Sequence, residues 1–502
     1  MQPFPRLRAT AHALALPLGL FISAAAAAAG PAPQHAAQQA AAAGDLLTFP
    51  VTQQTLPNGL TVVIVPTGFP DIVSLQIPVQ TGSRNEFEPG HSGFAHFFEH
   101  MMFRGTADYP PARYQQLLTR AGARQNAYTT DDYTNYHTTF ARGDLETMLR
   151  IEADRFQHLA YSEADFKTES RAVLGEYNKN SANPGAKLFE ALREKAFQTH
   201  TYRHTTMGFL RDIEDMPNQY TYSKAFFDRW YRPERTALII AGDVDPAQAM
   251  AWVRKYWGGW QHGKPQPAPP PEPAAQGPAY VHVPWASPTL PLVTVSFHGP
   301  AFSDHARDFA ALSTLLALGF GPTSDLYRRL VQEEQKVDEL RYFAPESADP
   351  GLVSVSARVK RLEDAVAVRD EILLTVERLR EQPVQPQRLA DARAAARYGL
   401  VRSLDNTEQI AATLAQYVRQ QRDYGTLNRY YRTIDTLTPQ DLQAAARRYL
   451  TDSSLVVATL SQAPMPEAMT RIPALATLAP AAPPAASPAA SPAASPAASP
   501  AA

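Results

Sequence analysis

The sequence predicts an α+β protein built from two similar domains, and three observations carry that prediction. The chain has 502 residues, more than one hydrophobic core of roughly 150 residues accommodates. A proline-rich stretch, GKPQPAPPPEPAAQGPAY over 263–280, divides it into parts of similar size, 45–262 and 281–465. That stretch reads as an extended, unpacked linker. The two parts also share an order of elements. Each opens on alternating apolar strands, TVVIV and IVSLQIPVQTG in the first and LVTVSFHG in the second. Each then runs into helical patterns and closes on an amphipathic helix feeding an apolar strand, YSKAFFDRWYRPERTALIIAGDV and LTPQDLQAAARRYLTDSSLVVATL. Strands and helices mixed in this way favour helices on one face of a mainly antiparallel sheet, here duplicated. Asp245 followed by Pro246 ahead of AQAMAWVRKYW marks a capped helix start with proline in its first turn.

The two ends read differently from the middle. Arg6 and Arg8 precede an apolar, alanine-rich run and then small residues, the layout of a cleavable secretory signal over 1–29. No other stretch approaches the ~20 apolar residues of a membrane span, so no transmembrane segment is expected after cleavage. Residues 478–502, an Ala/Pro/Ser repeat, read as a disordered tail. The chain has no cysteine, which excludes disulfides, thiolate metal sites and cysteine nucleophiles, so any metal must be held by histidines and carboxylates. An export signal without a disulfide framework fits a periplasmic or secreted protein. The formal charge of -2 arises from interspersed charges rather than a basic stripe, which argues against nucleic-acid binding.

The chemistry concentrates in HSGFAHFFEHMMFRGT, residues 91–106. On a helix His96 and His100 stand four apart and share a face, where both imidazoles can reach one ion. Two neutral imidazoles and a carboxylate at about 2 Å satisfy Zn²⁺ and leave a position for a water that the metal acidifies. Glu99, beside them, is the candidate general base. His91 is not four residues from either candidate ligand, and His137 lies in a strand-like run; both read as surface or packing residues. From Arg124 to Phe140 the alternation of polar and β-favouring residues reads as a strand.

HxxEH is the inverted form of the HExxH zinc motif. With LPNGLTVVIV, TGSRNE, FAHFFEHMMFRGT and NAYTTDDYTNYH around it, the chain resembles the M16 peptidases, the family of insulin-degrading enzyme, pitrilysin and mitochondrial processing peptidase. The resemblance implies one zinc ion per chain held by His96, His100 and Glu176, the last in ESRAVLGEYNKN. It gives Glu169 a supporting place beside the ligands and makes Glu99 the base. It implies that Asn126, Ala127 and Tyr128, on an exposed edge, pair with the backbone of peptide substrates. Two such domains would close as a clamshell over a chamber that admits peptides or small unfolded chains.

One family feature is missing. Family peptidases carry an Arg and a Tyr seven apart in the second half that hold the substrate and the oxyanion. In SDLYRRLVQEEQKVDELRY, Val331 and Asp338 stand in those places. Arg328, Arg329, Arg341 and Tyr342 lie nearby without the spacing. The expectation is a zinc metalloendopeptidase that forms the zinc-bearing subunit of a heterodimer, with an M16-like partner supplying Arg and Tyr, or a homodimer. The alternative is a non-catalytic M16-like scaffold.

Overall fold

The computed structural model describes residues 37–39 and 45–478. The expected signal segment and Ala/Pro/Ser tail lie outside the described residues, apart from Leu478. Within them no helix is long and apolar enough to cross a membrane.

The first half runs β1 (Ala37–Gln39), β2 (Val51–Thr55), β3 (Thr61–Pro66), β4 (Ile72–Val79), α1 (Phe94–Met101), α2 (Pro111–Arg120), β5 (Arg124–Thr129), β6 (Thr134–Ala141), α3 (Leu145–His158), α4 (Glu163–Asn180), α5 (Pro184–Ala196), α6 (Leu210–Asp215), α7 (Tyr220–Trp230), β7 (Ala237–Gly242) and α8 (Pro246–Trp257). The second runs β8 (Ala279–Pro284), β9 (Leu292–His298), α9 (Arg307–Phe320), α10 (Asp325–Tyr327, continuing in π-type turns to Glu333), β10 (Val337–Phe343), β11 (Leu352–Val359), α11 (Ala365–Glu381), α12 (Pro386–Ser403), α13 (Thr407–Gln421), α14 (Thr426–Asp435), α15 (Pro439–Tyr449) and β12 (Leu455–Ser461).

The sheet orders establish the duplication. Sheet 1 is β1-β2-β3-β7-β4-β6-β5 and sheet 2 is β10-β11-β9-β12-β8. Without β1 and β2, the first reads strand for strand as the second in reverse. Its parallel pair β3/β7 matches β8/β12, and every other ladder in both sheets is antiparallel. Two helices separate the second and third strands of each repeat, and five separate the fourth and fifth. The α+β class and two-domain plan are therefore as expected. Asp245 also caps α8 as its sequence announced, accepting the Gln248 N–H at 2.8 Å.

The expectation of helices on one face is corrected. Val62, Ile64, Leu75, Ile77, Leu238 and Ile240 point to a core shared with α1, α3, α7 and α8. On the opposite face of the same strands Val63, Val65, Ile239 and Ala241 join the second half's core, which contains Ile410, Ala411 and Leu414 of α13. Sheet 2 reciprocates: Val456, Ala458 and Leu460 of β12 pack with Leu188, Leu192 and Ala196 of α5. Helices α5 and α13 hold the same place in the two repeats, so each half covers the other's sheet. The unbroken apolar runs ALIIAG and LVVATL are what strands buried on both faces require.

Two further expectations change. Arg124 to Phe140 is not one strand but a hairpin, because Thr130 closes a turn: its N–H reaches the Tyr133 carbonyl at 2.8 Å and its Oγ1 accepts from the N–H of Asp132 and Tyr133. The proline-rich linker is extended but not unpacked. Glu272 accepts the N–H groups of Gln198, Thr199 and His200 at 2.7, 3.0 and 2.9 Å.

Candidate metal centre and its cleft

Helix α1 begins where the chain must reverse into it. Gly93 precedes it at φ 93°, a left-handed conformation that glycine adopts without strain, and a Cβ there would stand 2.9 Å from the Met207 carbonyl. The free N–H groups at this end are met from a distance by the buried Glu86, which accepts Gly93 N–H at 2.7 Å and Ala95 N–H at 2.6 Å. The helix is seated by Phe94, Phe97, Phe98 and Met101 in the first core. Its remaining face presents His96, Glu99 and His100.

Helix α4 crosses that face. Its start is fixed by a capping box, Ser162 and Asp165 exchanging hydrogen bonds, and its buried side carries Phe166, Glu169 and Val173. Glu176 Oε2 lies 3.6 Å from His96 Nε2 and 3.4 Å from His100 Nε2. Among the described residues this is the cluster whose donor atoms converge within 4.8 Å. Ligands about 2.05 Å from a tetrahedral zinc stand about 3.3 Å apart, so these separations fit such an ion with little adjustment.

The two imidazoles are prepared differently. Burial, with the neighbouring His100, pushes His96 down to about 4, so its ring is neutral near pH 7. Its Nδ1 is buried without a hydrogen-bond partner among the described residues. His100 is oriented by a hydrogen bond of 2.8 Å from Nδ1 to Glu169 Oε1, which raises its proton affinity and lowers that of Glu169. With Nδ1 as the donor, Nε2 keeps its lone pair on the side that faces Glu176. Glu169 is held in turn by Arg104, whose Nε donates to Oε2 at 2.7 Å and whose Nη2 also donates.

Glu99 points to the same space. Burial pushes its carboxyl above the ordinary range, against the hydrogen bond that Thr129 Oγ1 donates to Oε2 at 2.7 Å. A cavity of about 380 Å³ opens here, lined by Glu99, His100, Phe103, Arg104, Pro111, Asn126 and Glu169. Strand β5 forms one wall and is an edge of sheet 1, paired among the described residues with β6 alone. Asn126 and Tyr128 are exposed on it and Ala127 is buried, so the three sequence-selected residues alternate along the edge. His91 is a packing residue, stacked on Tyr222 at 3.8 Å and hydrogen-bonded to Gln219. His137 sits in β6 opposite Asn126.

In the second half, Val331 packs against the core and Asp338 accepts from Arg358 Nε at 2.6 Å. Arg329 is engaged by Glu371, Arg328 by Asp325 and Arg341 by Glu339. None of these residues lines the cavity. Sequence reasoning passed over Glu86, Arg104 and Thr129. Each lay inside a quoted motif, but each acts across a loop or between elements, where residue spacing carries no signal.

Residues 61–209 match Insulinase (Peptidase family M16), and residues 219–396 match Peptidase M16 inactive domain. The chain is 26% identical over 408 residues to the zinc protease PqqE of Helicobacter pylori, spanning 80% of this chain and 90% of that protein. An uncharacterized zinc protease of Mycobacterium leprae, ML0855, is 27% identical over 410 residues, 80% of this chain and 89% of its own. Among solved structures, a protease from Helicobacter pylori superposes with a TM-score of 0.76 at 25% identity, over 82% of this chain and 99% of that one. The periplasmic protease PqqL of Escherichia coli shares the fold at a TM-score of 0.68 and 17% identity, over 85% of this chain and 49% of that one. A His-His-Glu cluster on the inverted motif, a twice-repeated α+β fold and the two family matches over 61–209 and 219–396 place the chain in the M16 peptidase family.

Proposed function

We propose that the chain is a zinc metalloendopeptidase that cleaves peptides or small unfolded polypeptides, with His96, His100 and Glu176 holding one zinc ion and Glu99 as general base. The observation that carries this reading is the convergence of the two imidazole Nε2 atoms of His96 and His100 on Glu176 Oε2, at 3.6 and 3.4 Å, beside the half-buried Glu99 carboxylate at the mouth of a cleft. Bound there, zinc would supply an acidified water and a Lewis acid for the scissile carbonyl. Glu99 takes the attacking water's proton and delivers it to the leaving amine, while Thr129 keeps its carboxylate turned toward the cleft. Glu169 and Arg104 fix the His100 ring. The peptide adds to the open edge of β5 through main-chain hydrogen bonds, with side chains on either side of Asn126 and Tyr128, a mode that recognises extended backbone more than sequence.

The cleft draws its lining from the first half alone, and the second half's Val331 and Asp338 are occupied in packing and an ion pair. This supports a two-subunit enzyme in which an M16-like partner supplies the oxyanion-holding Arg and Tyr to this zinc-bearing subunit. Export to the periplasm, as the N-terminal sequence suggests, would place it with the peptides it degrades. The test is Glu99→Gln in purified protein, with metal content and peptide hydrolysis measured with and without a candidate partner. Zinc retained at one per chain with turnover lost supports the assignment; undiminished turnover overturns it.

A further inference from the structure

The β5–β6 hairpin that carries Thr129 does not end in solvent. Its tip, Asp131 and Asp132, is held from both halves of the molecule. Asp131 accepts from Ser83 Oγ at 2.9 Å and from Arg193 Nη1 at 2.8 Å, and its carbonyl accepts Arg84 N–H at 2.7 Å. Gly82 lies under the tip so closely that a Cβ would meet the Thr130 and Asp131 carbonyls at 2.3 and 2.4 Å. Asp132 turns the other way: Oδ2 accepts the N–H of Ala348 at 2.9 Å, and Oδ1 accepts from Tyr202 OH at 2.6 Å. Ala348 and Asp349 form the β10–β11 loop, which by sheet order is the second repeat's counterpart of the same hairpin. Asp349 closes the circuit. Its N–H donates to Tyr202 OH at 3.2 Å, and its Oδ2 accepts from His200 Nε2 at 2.9 Å and Arg84 Nε at 2.5 Å.

Two equivalent hairpins thus meet tip to tip, and one of them carries the side chain that orients the candidate base. We infer that this junction is a latch: Asp132 and Asp349 are positioning residues through which the second half holds the hairpin, and so Thr129, against Glu99. The inference rests on the peptidase reading for its consequence in turnover, but the mechanical part stands apart from it. An isolated hairpin is marginal in water, and a tip fixed only by its own turn would fray. Here Asp132 gains a main-chain donor from the other half beside the first half's own contacts, so loss of that half's loop loosens the tip without touching any metal ligand.

Hydrogen exchange on the full chain tests the latch without reference to activity. In Asp349→Ala the amides of residues 127–133 should exchange roughly tenfold faster, while α1 stays protected and zinc content is unchanged. Unaltered exchange in the hairpin overturns the inference. Should Asp349→Ala fail to fold, Asp349→Asn keeps an acceptor at the site and should show a smaller shift of the same sign. In the peptidase assay Asp349→Ala should lower kcat by roughly tenfold with KM little changed. Because the latch acts through Thr129, the same change in a Thr129→Val background should cost almost nothing more. Losses that simply multiply would show that the junction acts by another route and overturn it. A wild-type chain without peptidase activity both alone and with an M16-like partner, but with the exchange response intact, refutes the peptidase reading and leaves the latch standing.

Discussion

The two halves repeat one topology, yet the slot between the second and third strands is filled in opposite ways. In the first half α1 presents His96, Glu99 and His100 on its open face. In the second, α9 fills the same slot with Phe309, Leu312, Leu315 and Leu316, all buried. The facing helix differs as well: α4 brings Glu169 and Glu176, whereas α12 in that place carries alanines and arginines with no acidic cluster near α9. A metal centre requires polar groups kept dry and in register, at a cost to the core; an aliphatic helix in the same position contributes to stability instead.

Four measurements test this contrast. The largest effect belongs to Glu99→Gln, for which kcat should fall by about 10²–10⁴ while bound zinc persists; no change in the second half distant from the latch should approach that. Next comes removal of the metal. Chelation should lower the melting temperature, since an ion at ~1,000 times its dissociation constant stabilises the folded state by about 4 kcal/mol, and exchange should quicken in α1 and α4 rather than in α9 and α12. Helices α5 and α13 offer a symmetric pair. Leu192→Ala and Leu414→Ala should each cost about 2–5 kcal/mol in denaturant unfolding, within a single transition. Two separate transitions would show that the halves are independent and the reciprocal packing weak.

The smallest effect concerns acid stability. Burial opposes ionisation of Asp349, but hydrogen bonds from His200 and Arg84 outweigh it and hold the carboxyl well below its ordinary range. A depressed folded-state value contributes stability above the unfolded value of about 3.9 and loses it as pH falls further. Wild-type unfolding should therefore steepen below about pH 4, and Asp349→Asn should show a flatter acid limb over that window.

Much of this was legible in the sequence because it is local. The HxxEH spacing places two imidazoles on one helical face whatever the fold around it, and Asp245-Pro246 starts a helix by short-range geometry. Glu176 was legible only through resemblance, since nothing in its own neighbourhood distinguishes it from a solvated glutamate. Residues 124–140 read as one strand because alternation continues across the turn, and Thr130-Asp131-Asp132 lacks the glycine that usually announces one. Reciprocal covering of the sheets was hidden for a different reason. ALIIAG and LVVATL show that both faces are buried, but no pattern within a strand says which helix lies on each face.

The exchanged helices give the linker an unexpected standing. Because each half completes the other's core, the stretch 263–278 is less a hinge between independent bodies than a tether that keeps two complementary fragments at high effective concentration. A chain severed there would be a reconstitutable pair, and the boundary between one gene and two would be, for this fold, a matter of association strength rather than of architecture.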